Sequence, residues 1–204
     1  MSSYLERSEQ LLGKAKIKGF GKKLILVVGV GGVGGTTLEG LARSGFKKFV
    51  IIDSDKVDVS NLNRQILFTS ADVGKTKVEV AKKRLEAISK DIKCETICEK
   101  VDVGNLEKLL KYKPDFIVDA IDFVPGKLEI YKYALKNKIE GVYRLADNNF
   151  IGELEFVLSV IFSPSNCSAD KLFCIFNAEY ISISYRLLIN TIVAVFIIHI
   201  ECPV

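Results

Sequence analysis

Short apolar runs alternate with amphipathic stretches over the first 140 residues, and the alternation predicts the elements. Leu24–Val28 is a β-branched apolar run that stops in glycines, and TTLEGLARSGF after it carries apolar residues at helical spacing. FVIIDSD is a second apolar run closing on two acids, so the three segments form a βαβ unit with parallel strands and a right-handed connection. Residues 72–89 put Val78, Ala81, Leu85 and Ile88 on one helical face with lysines on the other, and Lys77 opens the helix after the turn Gly74-Lys75-Thr76. KCETICEKV predicts a strand, NLEKLLKY a short helix, and PDFIVDAID a strand ending in an acid. PGKLEIYKYALKNK predicts a helix with its proline in the first turn. Upstream, residues 4–19 predict one polar, amphipathic helix or arm. The pattern is that of a Rossmann-like, doubly wound α/β fold on a mainly parallel sheet, whose ligands lie at the carboxyl ends of the strands.

From about Gly141 the lysines stop and Ile, Phe, Ser and Leu dominate. Residues 1–150 are therefore expected to form the ligand-binding domain. Residues 151–204 are expected to be a short, irregular C-terminal segment of the same domain, or a cover for one of its edges. Leu187–Ile200 is an uncharged run of 14 residues, shorter than the roughly 20 that span a bilayer, so it predicts a buried core element and no membrane anchor. At 204 residues, 49% apolar and 26% charged, the chain can bury a large core and is not of a disordered class. Its net charge of +4 hides an asymmetry: residues 1–150 carry 27 Lys and Arg against 20 Asp and Glu, and the remainder carries 2 against 5. A basic first part suits a phosphorylated or nucleic-acid substrate as well as an ordinary soluble surface. The five cysteines (Cys94, Cys98, Cys167, Cys174, Cys202) include no CxxC pair, which argues against a disulfide framework and a four-cysteine zinc site. Cys94 and Cys98, four apart on a predicted strand, are expected on one face. The start MSSYLERSEQ lacks an apolar signal-peptide core, and a cytoplasmic setting is expected.

Gly29, Gly31, Gly32 and Gly34 lie between a predicted strand and a predicted helix, in the pattern GxGxxG. Glycines there let the backbone approach a phosphate, which the N–H groups and dipole of the helix N-terminus attract. Asp53 lies 24 residues after Gly29, near the spacing of a ribose-binding carboxylate. These features alone fit an NAD-dependent dehydrogenase. The polar run from Asp53 and Asp55 through Ser60, Asn61 and Arg64, followed by Lys77, favours a triphosphate instead, because fixed cations suit a leaving pyrophosphate. Asp122, at the end of the strand FIVDAID, faces the same crevice and suits Mg²⁺, which takes one or two carboxylates plus phosphate oxygens.

The strings VVGVGGVG, IDSDKVDVSNLNRQ, VGKTKVEVAKKRL and VDAID resemble, in order and spacing, the ThiF/MoeB/ubiquitin-activating superfamily of ATP-dependent adenylating enzymes. LERSEQLLG and DAIDFVPGK are most similar to the tRNA threonylcarbamoyladenosine dehydratase type within it. The resemblance implies ATP on the turn around Gly32, the ribose on Asp53, and phosphate contacts from Ser60, Asn61 and Arg64. It implies that Lys77 neutralises charge at the α-phosphate, that Asp122 coordinates Mg²⁺, and that Arg7 reaches the ATP of a partner subunit in a homodimer. The implied reaction is adenylation of a carboxylate, with modified tRNA as the acceptor. Adenylation of the C-terminus of a ubiquitin-like sulfur-carrier protein is the alternative, and a non-catalytic nucleotide-binding subunit a further one. A carboxylate attacking phosphorus needs no base, so the lack of a histidine before His199 is no obstacle.

Overall fold

Five short segments pair side by side in the computed structural model, which describes residues 3–111, 113–139 and 141–144. They are β1 (Leu24–Val28), β2 (Lys48–Ile52), β3 (Lys93–Ile97), β4 (Phe116–Asp119) and β5 (Gly141–Arg144). All pairs are parallel, in the order β3-β2-β1-β4-β5. The chain steps outward from β1 to β3 and then returns to lay β4 on the other side of β1. Such a reversal opens a crevice between β1 and β4 at their carboxyl ends. Val28 is paired with both Ile52 and Asp119, so the central strands end level with one another.

Helix α3 (Gly32–Arg43) links β1 to β2, and α4 (Lys77–Ile88) links β2 to β3. α5 (Leu106–Leu109) leads to β4, and α6 (Val124–Lys136) links β4 to β5. Alternate strand residues serve opposite faces. Leu26, Val28, Val50, Ile52 and Ile117 pack with Leu106, Ile130, Tyr133 and Ala134 of α5 and α6. Ile25, Val27, Phe49 and Ile51, one residue out of phase, are equally buried, as are Leu38 and Leu41 of α3 and Val78, Ala81 and Leu85 of α4. The described residues belong to one compact unit, Met1–Leu145.

Three expectations change. The helix expected over 4–19 is two, α1 (Glu6–Leu12) and α2 (Lys14–Phe20). Gly13 between them has φ of 86°, a left-handed conformation that glycine adopts without the cost a Cβ would impose. β4 ends at Asp119 because its partner β1 ends opposite, at Val28. Asp122 therefore lies beyond the strand, in the loop to α6. β3 ends at Ile97, so Cys98 falls outside it; Cys94 is half-buried, Cys98 is exposed, and the two do not form a same-face strand pair. The segment 151–204, with Leu187–Ile200, Cys167, Cys174 and Cys202, lies outside the described residues. Among the described residues no helix is long and apolar enough to cross a membrane.

Candidate functional site

The crevice at the end of β1 is built by close approach of backbones. A Cβ on Gly29, whose φ is 87°, would stand 2.6 Å from the carbonyl oxygen of Ala120, and one on Gly34 would collide with the carbonyl oxygen of Gly29. The glycine turn, the first turn of α3 and the loop after β4 thus meet with no space for side chains. Gly31 caps α3 without any side-chain hydrogen bond, so first-turn N–H groups that lack intrahelical partners remain available to an anion. Gly31 and Gly32 are less confined: the nearest atoms to a Cβ there are Gln65 Nε2 at 3.7 Å and the Arg64 carbonyl oxygen at 3.4 Å.

Asp53, directly after β2, ties this turn in place. Its Oδ2 accepts from the Val30 N–H and its Oδ1 from the Asp55 N–H, both at 2.8 Å. Burial pushes the Asp53 carboxyl above its ordinary pKa, against the pull of those two N–H groups and of the Lys77 charge. Each oxygen keeps a lone pair for a further donor such as a sugar hydroxyl. Lys77 opens α4 and is only 5% exposed. Its Nζ donates to Asp55 Oδ2 at 2.7 Å, which fixes the ammonium and leaves two of its three N–H donors.

Arg64 is exposed beside Gly32 and donates from Nη1 to the Ser60 carbonyl at 2.9 Å and to Asn63 Oδ1 at 3.0 Å. Ser60 is exposed, and its N–H donates to Asp58. Asn61 is buried, its Oδ1 accepting from the Asp58 N–H at 3.1 Å in a reciprocal cap of the turn Val59–Asn61. Asp122 is exposed, and no side-chain hydrogen bond or ion pair engages its carboxylate among the described residues. Arg7 is elsewhere. The Tyr4 hydroxyl donates to the Ala42 carbonyl at 3.5 Å and Leu5 packs beside Gly45, which anchors the arm at the far end of α3. Twelve helical residues, about 18 Å, separate that end from the glycine turn.

The family model of the ThiF family matches residues 5–154. The chain belongs to the ThiF family. It is 34% identical over 141 residues to the tRNA threonylcarbamoyladenosine dehydratase of Bacillus subtilis, covering 68% of this chain and 55% of that protein. It is 40% identical over 104 residues to the sulfur carrier protein adenylyltransferase of Thermus thermophilus, covering 50% and 38% of the two chains. The crystal structure of Escherichia coli tRNA N6-threonylcarbamoyladenosine dehydratase in complex with ATP superposes with a TM-score of 0.66 at 33% identity, covering 69% of this chain and 58% of that one. The chain spans about half the length of the curated relatives it matches.

This ThiF-family crevice also holds groups that sequence reasoning passed over. Asp119, fully buried at the end of β4, accepts from Lys127 Nζ at 3.2 Å through both oxygens, and Lys127 is itself 6% exposed. The pair ties α6 to β4 beneath the loop that carries Asp122. An acid closing a strand, followed eight residues later by a lysine inside the next helix, was the available signal. Lys100 Nζ stands 3.6 Å from the centroid of the Phe123 ring in the same loop. Gln65 is 5% exposed, and its Oε1 has no hydrogen-bond partner among the described residues.

The two described cysteines should differ in reactivity. Burial pushes the Cys94 thiol up to about 12, leaving almost no thiolate at pH 8, whereas Cys98 is exposed. Peptide mapping after iodoacetamide treatment of the folded protein is expected to show Cys98 modified and Cys94 spared. Equal labelling would mean that β3 opens readily.

Proposed function

We propose that this chain carries out ATP-dependent adenylation of a substrate carboxylate, and that the acceptor is threonylcarbamoyladenosine-modified tRNA, with residues 1–150 as the adenylating domain. The observation that carries the reading is the crevice at the β1–β4 reversal: an N-terminus of α3 without a side-chain cap on a glycine turn, Lys77 held by Asp55, and, in the loop after β4 that packs on Gly29, Asp122, whose carboxylate engages no partner among the described residues. The relatives' names and the ATP bound to the Escherichia coli enzyme support it. The 40% identity to a sulfur carrier protein adenylyltransferase supports a second acceptor, the C-terminus of a ubiquitin-like carrier.

In this reading the first-turn N–H groups of α3, the Arg64 guanidinium and the Lys77 ammonium receive the phosphate oxygens. Asp53 accepts hydrogen bonds from the ribose. The substrate carboxylate attacks the α-phosphorus, pyrophosphate leaves, and an acyl-adenylate forms; the carbamoyl group of the same nucleotide then closes on the activated carbonyl and AMP departs. Lys77 acts as charge builds on the α-phosphoryl oxygens, and its ion pair with Asp55 means that it needs no reorganisation at that moment. Asp122 is the residue that would hold Mg²⁺, since its carboxylate engages no partner among the described residues and one carboxylate plus phosphate oxygens is a common donor set for that ion. Bound there, the ion would supply neutralisation of the leaving pyrophosphate. In this reading Arg7, on an arm held through Tyr4 and Leu5 at the end of α3 away from its own crevice, serves the ATP of a partner subunit in a homodimer.

The test is pyrophosphate release from ATP and Mg²⁺ with modified tRNA, unmodified tRNA, a ubiquitin-like carrier protein, or no acceptor. Release with modified tRNA alone is the expected result. Release only with the carrier protein would replace the acceptor, and ATP binding without release in any arm would point to a non-catalytic subunit.

A further inference from the structure

The sheet has a second edge, at the amino ends of its strands, and lysines line it. Lys48 and Lys93 open β2 and β3 and are register partners; adjacent strands lie about 4.8 Å apart. Lys22 precedes β1, Lys90 precedes β3 and Lys113 precedes β4. These five side chains are exposed, and none makes a side-chain hydrogen bond or ion pair among the described residues. The segments are contiguous in space. A Cβ on Gly21 would lie 3.4 Å from Lys47 Cδ, the Lys93 N–H donates to the Lys47 carbonyl at 2.8 Å, and the Leu24 N–H donates to Asp115 at 2.8 Å. The acids here, Asp91 and Asp115, are already paired with Lys47 and Lys23 at 2.9 Å. Helix dipoles favour cations in the last turn of a helix, which does not account for Lys48, Lys93 or Lys113, all at strand entries. The edge is therefore a run of like charge without a side-chain counter-charge among the described residues, which a polyanion would neutralise.

We infer that this lysine edge is a docking surface for the sugar–phosphate backbone of RNA, a second contact for the tRNA of the proposed function; the choice of RNA rests on that reading. Interfaces with proteins are depleted of lysine and centred on aromatic and apolar side chains, and none of the exposed large apolar residues falls on these segments. Nucleic-acid interfaces are polar and strongly positive, and duplex presents one charge per about 1.7 Å. The edge from β3 to β4 covers three strand gaps, about 14 Å. Strands of five residues separate it from the crevice by about 17 Å, the rise of about five base pairs at 3.4 Å each, so a stem held at this edge can present the end of its loop at the other.

The experiment measures the affinity of the full chain for unmodified tRNA against salt, with ATP binding followed in parallel. Lys48→Glu/Lys93→Glu is expected to weaken RNA binding at least tenfold at low salt and to reduce the slope of log affinity against log salt by about 2, since each phosphate contact contributes about 0.9. Lys83→Glu/Lys132→Glu, exposed positions in the middle of α4 and α6, makes the same change of net charge off the strand entries and should change affinity less than threefold. Lys48→Gln/Lys93→Gln removes the two charges without reversing them and is expected to melt no lower than wild type while still binding RNA more weakly, which separates docking from a folding role. Equal losses in the two Glu pairs, or none in the edge pair, would overturn the inference. So would loss of carrier-protein binding with RNA binding intact. If modified tRNA supports pyrophosphate release but its affinity ignores the edge, the docking surface alone fails; if RNA binding needs the edge but no RNA supports release, the proposed function alone fails.

Discussion

Lys77→Met, which keeps the length of the buried stem and removes the charge, is expected to slow acceptor-dependent pyrophosphate release about 100-fold or more while leaving the melting temperature nearly unchanged. Donors aimed at charge that develops in a transition state typically contribute that much to kcat, and Lys77 is held for such a task by its 2.7 Å bond to Asp55 and its burial at the head of α4. The partner it would abandon is 63% exposed on its side chain, so water replaces the lost ion pair and stability changes little. Asp122→Ala should show the same separation, since its carboxylate supports nothing else among the described residues. Steady-state kinetics beside thermal melts check both. Near-wild-type rates in the two variants would mean that the phosphates lie elsewhere, and a fall in melting temperature matching the fall in rate would mean a structural role.

Gly34→Ala is expected to do the reverse and damage the fold first. Its Cβ would be driven into the Gly29 carbonyl and would come within 2.8 Å of the Ala120 Cβ. Backbone on one side and a short, rigid side chain on the other leave nothing to swing aside. Overpacking of this kind costs about 1–3 kcal/mol, and separating α3 from β1 also opens the anion site; a loss of about 3 kcal/mol would lower the melting temperature by about 6–12 °C for a chain of this length. Gly32→Ala makes the contrast, because its nearest neighbour is 3.4 Å away and it should melt close to wild type. If Gly34→Ala melts with the wild type, the tight approach of helix to strand described here is wrong.

The positions of β1, β2 and β4 were legible because each is a short apolar run that ends in glycine or acid, and alternation with helices made the sheet parallel; neither β5 nor the order of the strands could be read that way. Nor could the end of β4. FIVDAID reads as continuous, yet pairing depends on the neighbour, and β1 turns away at Gly29 directly after the partner of Asp119. The break between α1 and α2 was hidden for a related reason: both helices continue one polar pattern, and only the φ of Gly13 separates them. Among the site residues, Gly29, Gly34, Asp53, Asp55 and Lys77 come together at the crevice, and Arg64 joins them beside Gly32. Asn61 and Asp55 instead spend hydrogen bonds on the scaffold, one capping a turn and the other holding Lys77. Asp119 and Lys127 were passed over because a charged letter carries no depth. Each looks like surface until the strand and helix that bury it are in place.

That buried pair also restricts the routes by which this sequence can change. Losing either partner alone strands a charge in the interior at a cost of about 3–5 kcal/mol, a large share of the 5–15 kcal/mol that a whole domain has to spare. A change of both to apolar residues of similar volume would be tolerated, but neither can go first without passing through a poorly folded ancestor. Asp119 and Lys127 are therefore bound to each other in inheritance as they are in space, and a lineage that holds one is expected to hold the other.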